Sequence, residues 1–333
     1  MLRAACSELT TDAGFAGIAI IQGERCWTGS ITFAGPREGN SHRFLFYSFT
    51  KTIMAAAVLR LVARGDLELD APAGRWLDGP ATAADFTLRQ LLAHTSGLGD
   101  YGALPAYQAA VRSGEAPWSR AEYLARAEAG RLLFEPGRGW RYSNVGYMLV
   151  KDILEKVGAA PLGRVLDREI FAPLGVRDVS LPTLRDELRP FLFGRSSQLG
   201  GRTVAGHYHP GWVAHGVAGG TPEAATRILH GLMTGKLLPP ELLAQMRQGQ
   251  PVGGPIEGRP WRKPGYGLGL MIELDETGTL RPEGHTGGGP GCSPAVYHFA
   301  DSALPFTLCA VTNGEDGGQA ERMVWSMAAE MEK

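Results

Sequence analysis

The sequence predicts an α+β fold, an α/β sandwich in which an antiparallel sheet is flanked by helices, and three observations carry that prediction. Strand-like alternation opens the chain at about residues 15–34 and returns only after residue 266. Between about 66 and 200 the pattern is helices and loops, with little alternation. A long apolar helix follows the first strands directly. Strands at both ends with helices between them imply a sheet domain built from both termini, residues 1–65 with 201–333, and an inserted all-helical domain, residues 66–200. A chain of 333 residues, 44% of them hydrophobic, can bury cores of that size.

Residues 15–34 alternate around Gln22-Gly23-Glu24, the mark of a hairpin. Residues 48–64 follow as a helix apolar on nearly every side, from Ile53 through Val62, with Gly65 as its C-terminal cap. Such a helix belongs in a core. Thr87 caps a short helix running through Ala93, Ser119 opens one over 120–129, and another spans 145–157. Late strands are expected at 266–274, 293–299 and 305–312, before a closing helix at 319–331.

Lysine and arginine total 33 against 34 acidic residues, so no net field exists to hold nucleic acid or an anionic membrane. The expected partner is a small molecule. No stretch approaches the roughly 20 apolar residues of a membrane span, and the amino terminus lacks the pattern of a signal peptide, so a cytoplasmic protein is expected. Cys6, Cys26, Cys292 and Cys309 are scattered without metal-ligand spacing and read as free thiols.

Three stretches could carry chemistry. In Ser48-Phe49-Thr50-Lys51, a serine and a lysine three apart at a helix start share one face. A lysine whose pKa is lowered by burial can take the serine proton, and amides at the helix start can help hold an oxyanion. Taken alone, the pair could equally be a capping serine and a solvated lysine, although an unpaired charge on so apolar a helix would be costly. Tyr142-Ser143-Asn144 offers a phenol able to relay a proton and an amide able to orient a lysine or a substrate carbonyl; its plainer reading is an N-cap beside a surface aromatic. His285-Thr286-Gly287-Gly288-Gly289 lies beside a strand, where glycines let a substrate approach the backbone, or else simply mark a loop.

The three stretches in this order resemble the serine beta-lactamase and penicillin-binding-protein superfamily, in its class C beta-lactamase, DD-peptidase, D-aminopeptidase and family VIII carboxylesterase branch. Gly65 to Asp70, Gln90 to Leu98 and Phe134-Glu135-Pro136-Gly137 are similar to its linking segments, so the resemblance runs from about Ser48 to the carboxyl end. It implies a beta-lactamase/transpeptidase-like fold and an acyl-enzyme on Ser48, with Lys51 and Tyr142 sharing the proton transfers. It implies substrate contacts from Asn144, His285, Thr286 and Gly287, and an oxyanion hole from the backbone amides of Ser48 and Gly288. No metal or organic cofactor is implied. His285 stands where many members have lysine, so a charge that varies with pH is expected there to steer substrate or tune Tyr142.

Other candidates are weaker. His207, His209, His215 and His230 suggest a metal cluster, but no acidic or cysteine ligand stands at a recognised spacing, and a loop lining the cleft or plain surface are the alternatives. Cys292 reads as a small buried thiol, and His94-Thr95-Ser96 as a turn after a short helix. Tyr101, Trp118 and Trp212 are candidates to wall the pocket. The expected activity is hydrolysis of small carboxylic esters, with weak beta-lactam hydrolysis as a companion. A D-amino-acid amidase, peptidase or DD-carboxypeptidase is the alternative enzyme, and a silent ligand-binding protein the alternative outside catalysis.

Overall fold

Strands β1 (Phe15–Gln22) and β2 (Arg25–Thr32) form the expected hairpin, with Phe15 opposite Thr32 and Gln22 opposite Arg25. The structure, a computed structural model, describes residues 15–32, 42–77, 86–277 and 280–333; Cys6 and the last two residues of the expected hairpin lie outside them. Strands β3 (Gln250–Pro251), β4 (Pro264–Tyr266), β5 (Met271–Glu273), β6 (Pro282–Thr286), β7 (Ser293–Phe299) and β8 (Phe306–Thr312) complete an antiparallel sheet in the order β2-β1-β8-β7-β6-β5-β4-β3. The first and last strands therefore lie side by side, one strand in from the β2 edge, where Ala16 of β1 pairs with Thr312 of β8.

The helices are α1 (Phe49–Ala63), α2 (Leu88–Leu92), α3 (Pro105–Ser113), α4 (Arg120–Arg126), α5 (Asn144–Gly158), α6 (Leu162–Leu166), α7 (Pro222–Met233), α8 (Pro240–Arg247) and α9 (Gly317–Met331). The expected segment 120–129 ends early, at Arg126. Helices α7 and α8 were not foreseen from the sequence.

Strand β1 shows why the sheet is covered on both sides. Ala16, Ile18 and Ile20 face a core shared with Met323, Val324 and Met327 of α9, while Phe15 belongs to the other core, with α1, α5 and α7. Alternation places successive side chains on opposite faces, and here both faces are apolar and buried. The expected strand 266–274 is two strands, broken by a turn at Gly269. Gly269 has a φ of +73°, and a Cβ there would press on Ala55 and on the Lys51 carbonyl. Only glycine allows that turn to sit on α1, where Thr52 donates a hydrogen bond to its carbonyl at 2.6 Å.

Helix α1 is apolar all round because it lies between the sheet and the other helices, buried from Phe49 to Leu59. Its far end is anchored by Glu169, only 1% exposed, which accepts from Arg64 at 2.7 Å, Arg168 at 2.9 Å and Arg60 at 3.4 Å. Burial alone would raise the Glu169 carboxyl, but the bonds from Arg64 and Arg168 hold it down at about 2. Among the described residues no helix is long and apolar enough to cross a membrane.

Glu169→Ala is expected to destabilise the fold by about 1–3 kcal/mol, less than for a fully buried pair because the guanidiniums reach water. Wild-type stability from this group is complete above the ordinary glutamate pKa and fades as pH falls toward 2. Urea unfolding at pH 7 and pH 3 checks both statements; equal midpoints for the two proteins at pH 7 would remove Glu169 as the anchor.

Candidate active site

The turn into α1 is tightly determined. Phe44–Leu45 pairs with Gly219–Gly220, Phe46 donates to the Ala218 carbonyl at 2.7 Å, and Ala218 donates back to the Thr50 hydroxyl at 3.0 Å. Tyr47 then takes a left-handed φ of +43°, with its hydroxyl donating to the Pro290 carbonyl at 2.7 Å. A non-glycine residue held there stores strain of about 1–3 kcal/mol. Ser48 follows as the N-cap of α1, yet its side chain makes no capping bond.

The hydroxyl is engaged otherwise. Lys51 Nζ lies 3.2 Å from Ser48 Oγ, and the Tyr142 hydroxyl donates to the same oxygen at 2.9 Å. Lys51 is fully buried, so neither a capping serine nor a solvated lysine describes the pair. Its ammonium also donates to Asn144 Oδ1 at 2.8 Å and lies 3.3 Å from His215 Nε2. Burial pulls the Lys51 pKa down to about 7, against a smaller upward pull from Asp100. Burial pushes Tyr142 up, with the Ser48 hydrogen bond opposing in part, so the phenol keeps its proton near neutrality.

Asp100, which the sequence did not single out, and His94, read there only as a turn residue, hold this second stretch. Asp100 accepts from Asn144 N at 2.7 Å and Nδ2 at 3.2 Å, which turns the amide oxygen toward Lys51. His94 is in the turn after α2 as expected, but it is buried, with a φ of +60°. Its Nδ1 accepts from Ser143 N at 3.1 Å and its ring lies 4.2 Å from that of Tyr142. Ser143 is the N-cap of α5, accepting from Gly146 N at 3.0 Å. The capping reading thus holds for Ser143, while Tyr142 and Asn144 on either side face Ser48 and Lys51. A histidine ending a short helix carries no pattern that separates it from a turn residue.

The third stretch ends β6. A Cβ on Gly287 would strike the Phe46 carbonyl and one on Gly289 the Tyr47 ring, so glycine lets this backbone lie against the turn before Ser48. Among the described residues a Cβ on Gly288 would meet nothing within 4 Å, and the Ser48 and Gly288 amides donate to no backbone carbonyl outside regular structure. His285 departs from expectation. It is buried, its Nε2 is 2.9 Å from the Tyr266 hydroxyl and its Nδ1 is 2.7 Å from the Thr286 carbonyl. Burial, reinforced by Lys51, lowers its pKa to about 3, so it is neutral at ordinary pH and is no charge switch. Thr286 donates to Glu321 Oε1 at 2.5 Å.

Two lobes open on either side of Ser48. The smaller, about 190 Å³, is walled by Tyr101, Tyr107, Tyr208, Trp212, Val213 and His215. The larger, about 380 Å³ and mostly apolar, is walled by Trp140, Tyr142, Ile256, Arg259, Trp261 and Met271. Tyr101 and Trp212 therefore line the cleft as expected, whereas Trp118 packs behind, its ring 5.6 Å from that of Trp212. Arg259 is the one lysine or arginine among the described residues lining the larger lobe, and it is spent: Nε donates to the buried Glu321 at 2.6 Å, and a second bond joins the same pair.

The other histidines scatter. His207 and His209 bond to the backbone of their own loop, and His230 Nδ1 meets the Thr307 hydroxyl at 3.1 Å. Among the described residues no cluster of three His, Cys, Asp or Glu could hold a metal. Cys26, Cys292 and Cys309 are free, and burial pushes the Cys292 thiol up to about 12.

The family model described as Beta-lactamase matches residues 10–330. The esterase EstB of Burkholderia gladioli is 31% identical over 313 residues, covering 81% of this chain and 77% of that protein. Among solved structures, a D-stereospecific amidohydrolase from Streptomyces sp. matches with a TM-score of 0.82 at 28% identity, covering 97% of each chain. A D-amino acid amidase from Ochrobactrum anthropi SV3 has a TM-score of 0.81 at 23% identity over 99% of each chain, a likeness of fold.

Reactivity of Ser48 is expected to rise with pH through a midpoint near 7 as Lys51 loses its proton, with no step from His285, whose value is near 3. Lys51→Ala should lower the rate about 10²- to 10⁴-fold and abolish that step. Labelling by a fluorophosphonate across pH 5–9, followed by mass spectrometry, measures both; a step that survives Lys51→Ala would assign the titration to another group.

Proposed function

The chain belongs to the beta-lactamase family, and from that premise we propose that it is a serine hydrolase of small, uncharged carboxylic esters. The observation that carries the ester reading is the charge balance of the larger lobe. Arg259 is neutralised by Glu321, the Thr286 hydroxyl is turned to the same carboxylate, and His285 is neutral. A leaving group bearing a carboxylate, as a carboxypeptidase requires, meets no free cation among the described residues that line that lobe. An alcohol or phenol loses nothing.

In this reading neutral Lys51 takes the Ser48 proton as Oγ attacks the ester carbonyl, and the Ser48 and Gly288 amides receive the oxyanion. Tyr142, protonated at neutral pH, hands a proton to the departing oxygen and recovers it from the Lys51 ammonium. Water then attacks the acyl-enzyme, with the same groups serving in reverse. Asn144 orients Lys51 and the acyl carbonyl, while Gly287 and the neutral His285–Thr286 edge contact the substrate without charging it. Tyr142 lines the larger lobe and not the smaller, so the leaving group lies in the larger and the acyl group in the smaller. At roughly 30 Å³ for each water-sized group, the smaller lobe takes about six.

A D-amino-acid amidase remains the second reading, favoured by the full-length match to the Streptomyces amidohydrolase and by Asp100, a carboxylate close enough to the smaller lobe to accept from Gly102 N at 3.2 Å and so to attract an α-ammonium. Steady-state assays separate the two. Nitrophenyl acetate and butyrate should be hydrolysed, the decanoate about tenfold or more less efficiently, and Tyr107→Ala should narrow that gap. Turnover of D-alaninamide with inert esters would transfer the assignment to an amidase. Cleavage of a D-alanyl-D-alanine peptide would refute the charge argument, and a folded protein that no ester acylates and no fluorophosphonate phosphonylates would be a binding protein.

A further inference from the structure

Among the described residues Lys51 Nζ lies within hydrogen-bonding distance of three polar atoms: Ser48 Oγ at 3.2 Å, Asn144 Oδ1 at 2.8 Å and His215 Nε2 at 3.3 Å. The ε-carbon occupies the fourth tetrahedral direction. As an ammonium, the nitrogen donates to all three. As a free amine it has two hydrogens and one lone pair, and which neighbour receives the lone pair decides whether it can act as a base.

We propose that His215 is a positioning residue of the reaction: together with Asn144 it accepts the two amine hydrogens and so turns the Lys51 lone pair onto the Ser48 hydroxyl. This rests on Ser48 being the nucleophile, as proposed above, but not on the ester preference. Asn144 Oδ1 can only accept, and its orientation is fixed because Nδ2 donates to Asp100 at 3.2 Å. His215 Nε2 accepts when the ring proton is on Nδ1. The opposite tautomer would point an N–H at an ammonium, or capture the lone pair of the free amine and silence it. Of the three neighbours, Ser48 alone then has a hydrogen to give.

The surroundings support this role. His215 is 2% exposed, faces Lys51 from α1 and Tyr147 from α5, whose ring lies 6.3 Å away, and carries its ring on the segment that Thr50 and Phe46 hold through Ala218. Burial keeps it neutral, and Lys51, His285, His94 and Lys151 all push in the same direction. Its Nδ1 is buried with no protein partner among the described residues, an expense that a packing residue such as leucine would not incur.

The test is the fluorophosphonate labelling rate of Ser48 across pH 5–9 in His215→Leu, His215→Gln and His215→Ala, each checked by thermal unfolding. Glutamine extends an acceptor oxygen to about where Nε2 stands, and leucine removes it. His215→Leu should label about 10- to 100-fold more slowly, with its midpoint moved to lower pH because the ammonium has lost an acceptor. His215→Gln should stay within a few-fold of wild type. If the leucine variant does not fold, His215→Ala carries the test, since His215 borders the smaller lobe and added imidazole should restore the rate. Wild-type rate and midpoint in His215→Leu, glutamine no better than leucine, or no imidazole rescue of a slowed alanine variant would overturn the assignment. Inert esters with this labelling pattern intact would fail the ester reading alone.

Discussion

A lysine amine enclosed among neutral groups at the start of an apolar helix cannot keep its proton as water-exposed lysines do. Had Lys51 met a carboxylate directly, the pair would have held it charged and useless as a base. Asp100 stands one residue removed, both its oxygens accepting from the Asn144 amide groups, so Lys51 feels only part of that charge and titrates near 7. The interposed amide separates a salt bridge from a usable base. Everything else in the site serves that enclosure: the Gly269 turn covers α1, His94 holds the loop of Tyr142, and Tyr147 and His215 close the sides.

The same enclosure orders the two proposed proton carriers. Burial moves lysine and tyrosine in opposite directions because it disfavours whichever form is charged. Near neutrality the amine is therefore half free while the phenol is intact, and one can accept as the other donates. The histidines around them contribute shape and hydrogen bonds and no charge, which keeps the acid and the base from being disturbed by a third titration.

Much of this was legible in the sequence where local chemistry dictates structure. The Thr87 and Ser119 caps, the all-apolar α1, and the central strands over 293–299 and 305–312 are patterns in which propensity and burial agree. The order of Ser48-Lys51, Tyr142-Asn144 and His285 pointed to the cleft. What could not be read is what depends on distant chain segments meeting. Asp100 and Tyr266 look like ordinary loop and strand residues, and His215 drew notice only as one of four histidines, until folding brings them to the surroundings of Lys51 and His285. The neutral state of His285 is of the same kind, since it comes from Tyr266 and from burial and not from its neighbours in sequence. The wall at 252–262, with Arg259 bound to Glu321 across 62 positions, shows no periodicity.

The two lobes have a geometric property that bears on how such a catalyst diversifies. Among the described residues their linings share only Ser48 and Gly288. Chain segments around 101–107 and 208–215 form one, and segments around 252–271 form the other, so under the proposed assignment the acid half and the alcohol half of a substrate are recognised by separate stretches of polypeptide. Substitutions in either stretch can retune one half while the reacting centre and the opposite half stay as they are. A lineage with this plan can explore pairings of acyl and leaving groups combinatorially, which gives a physical basis for relatives that share its fold while bearing the names of esterase and amidase.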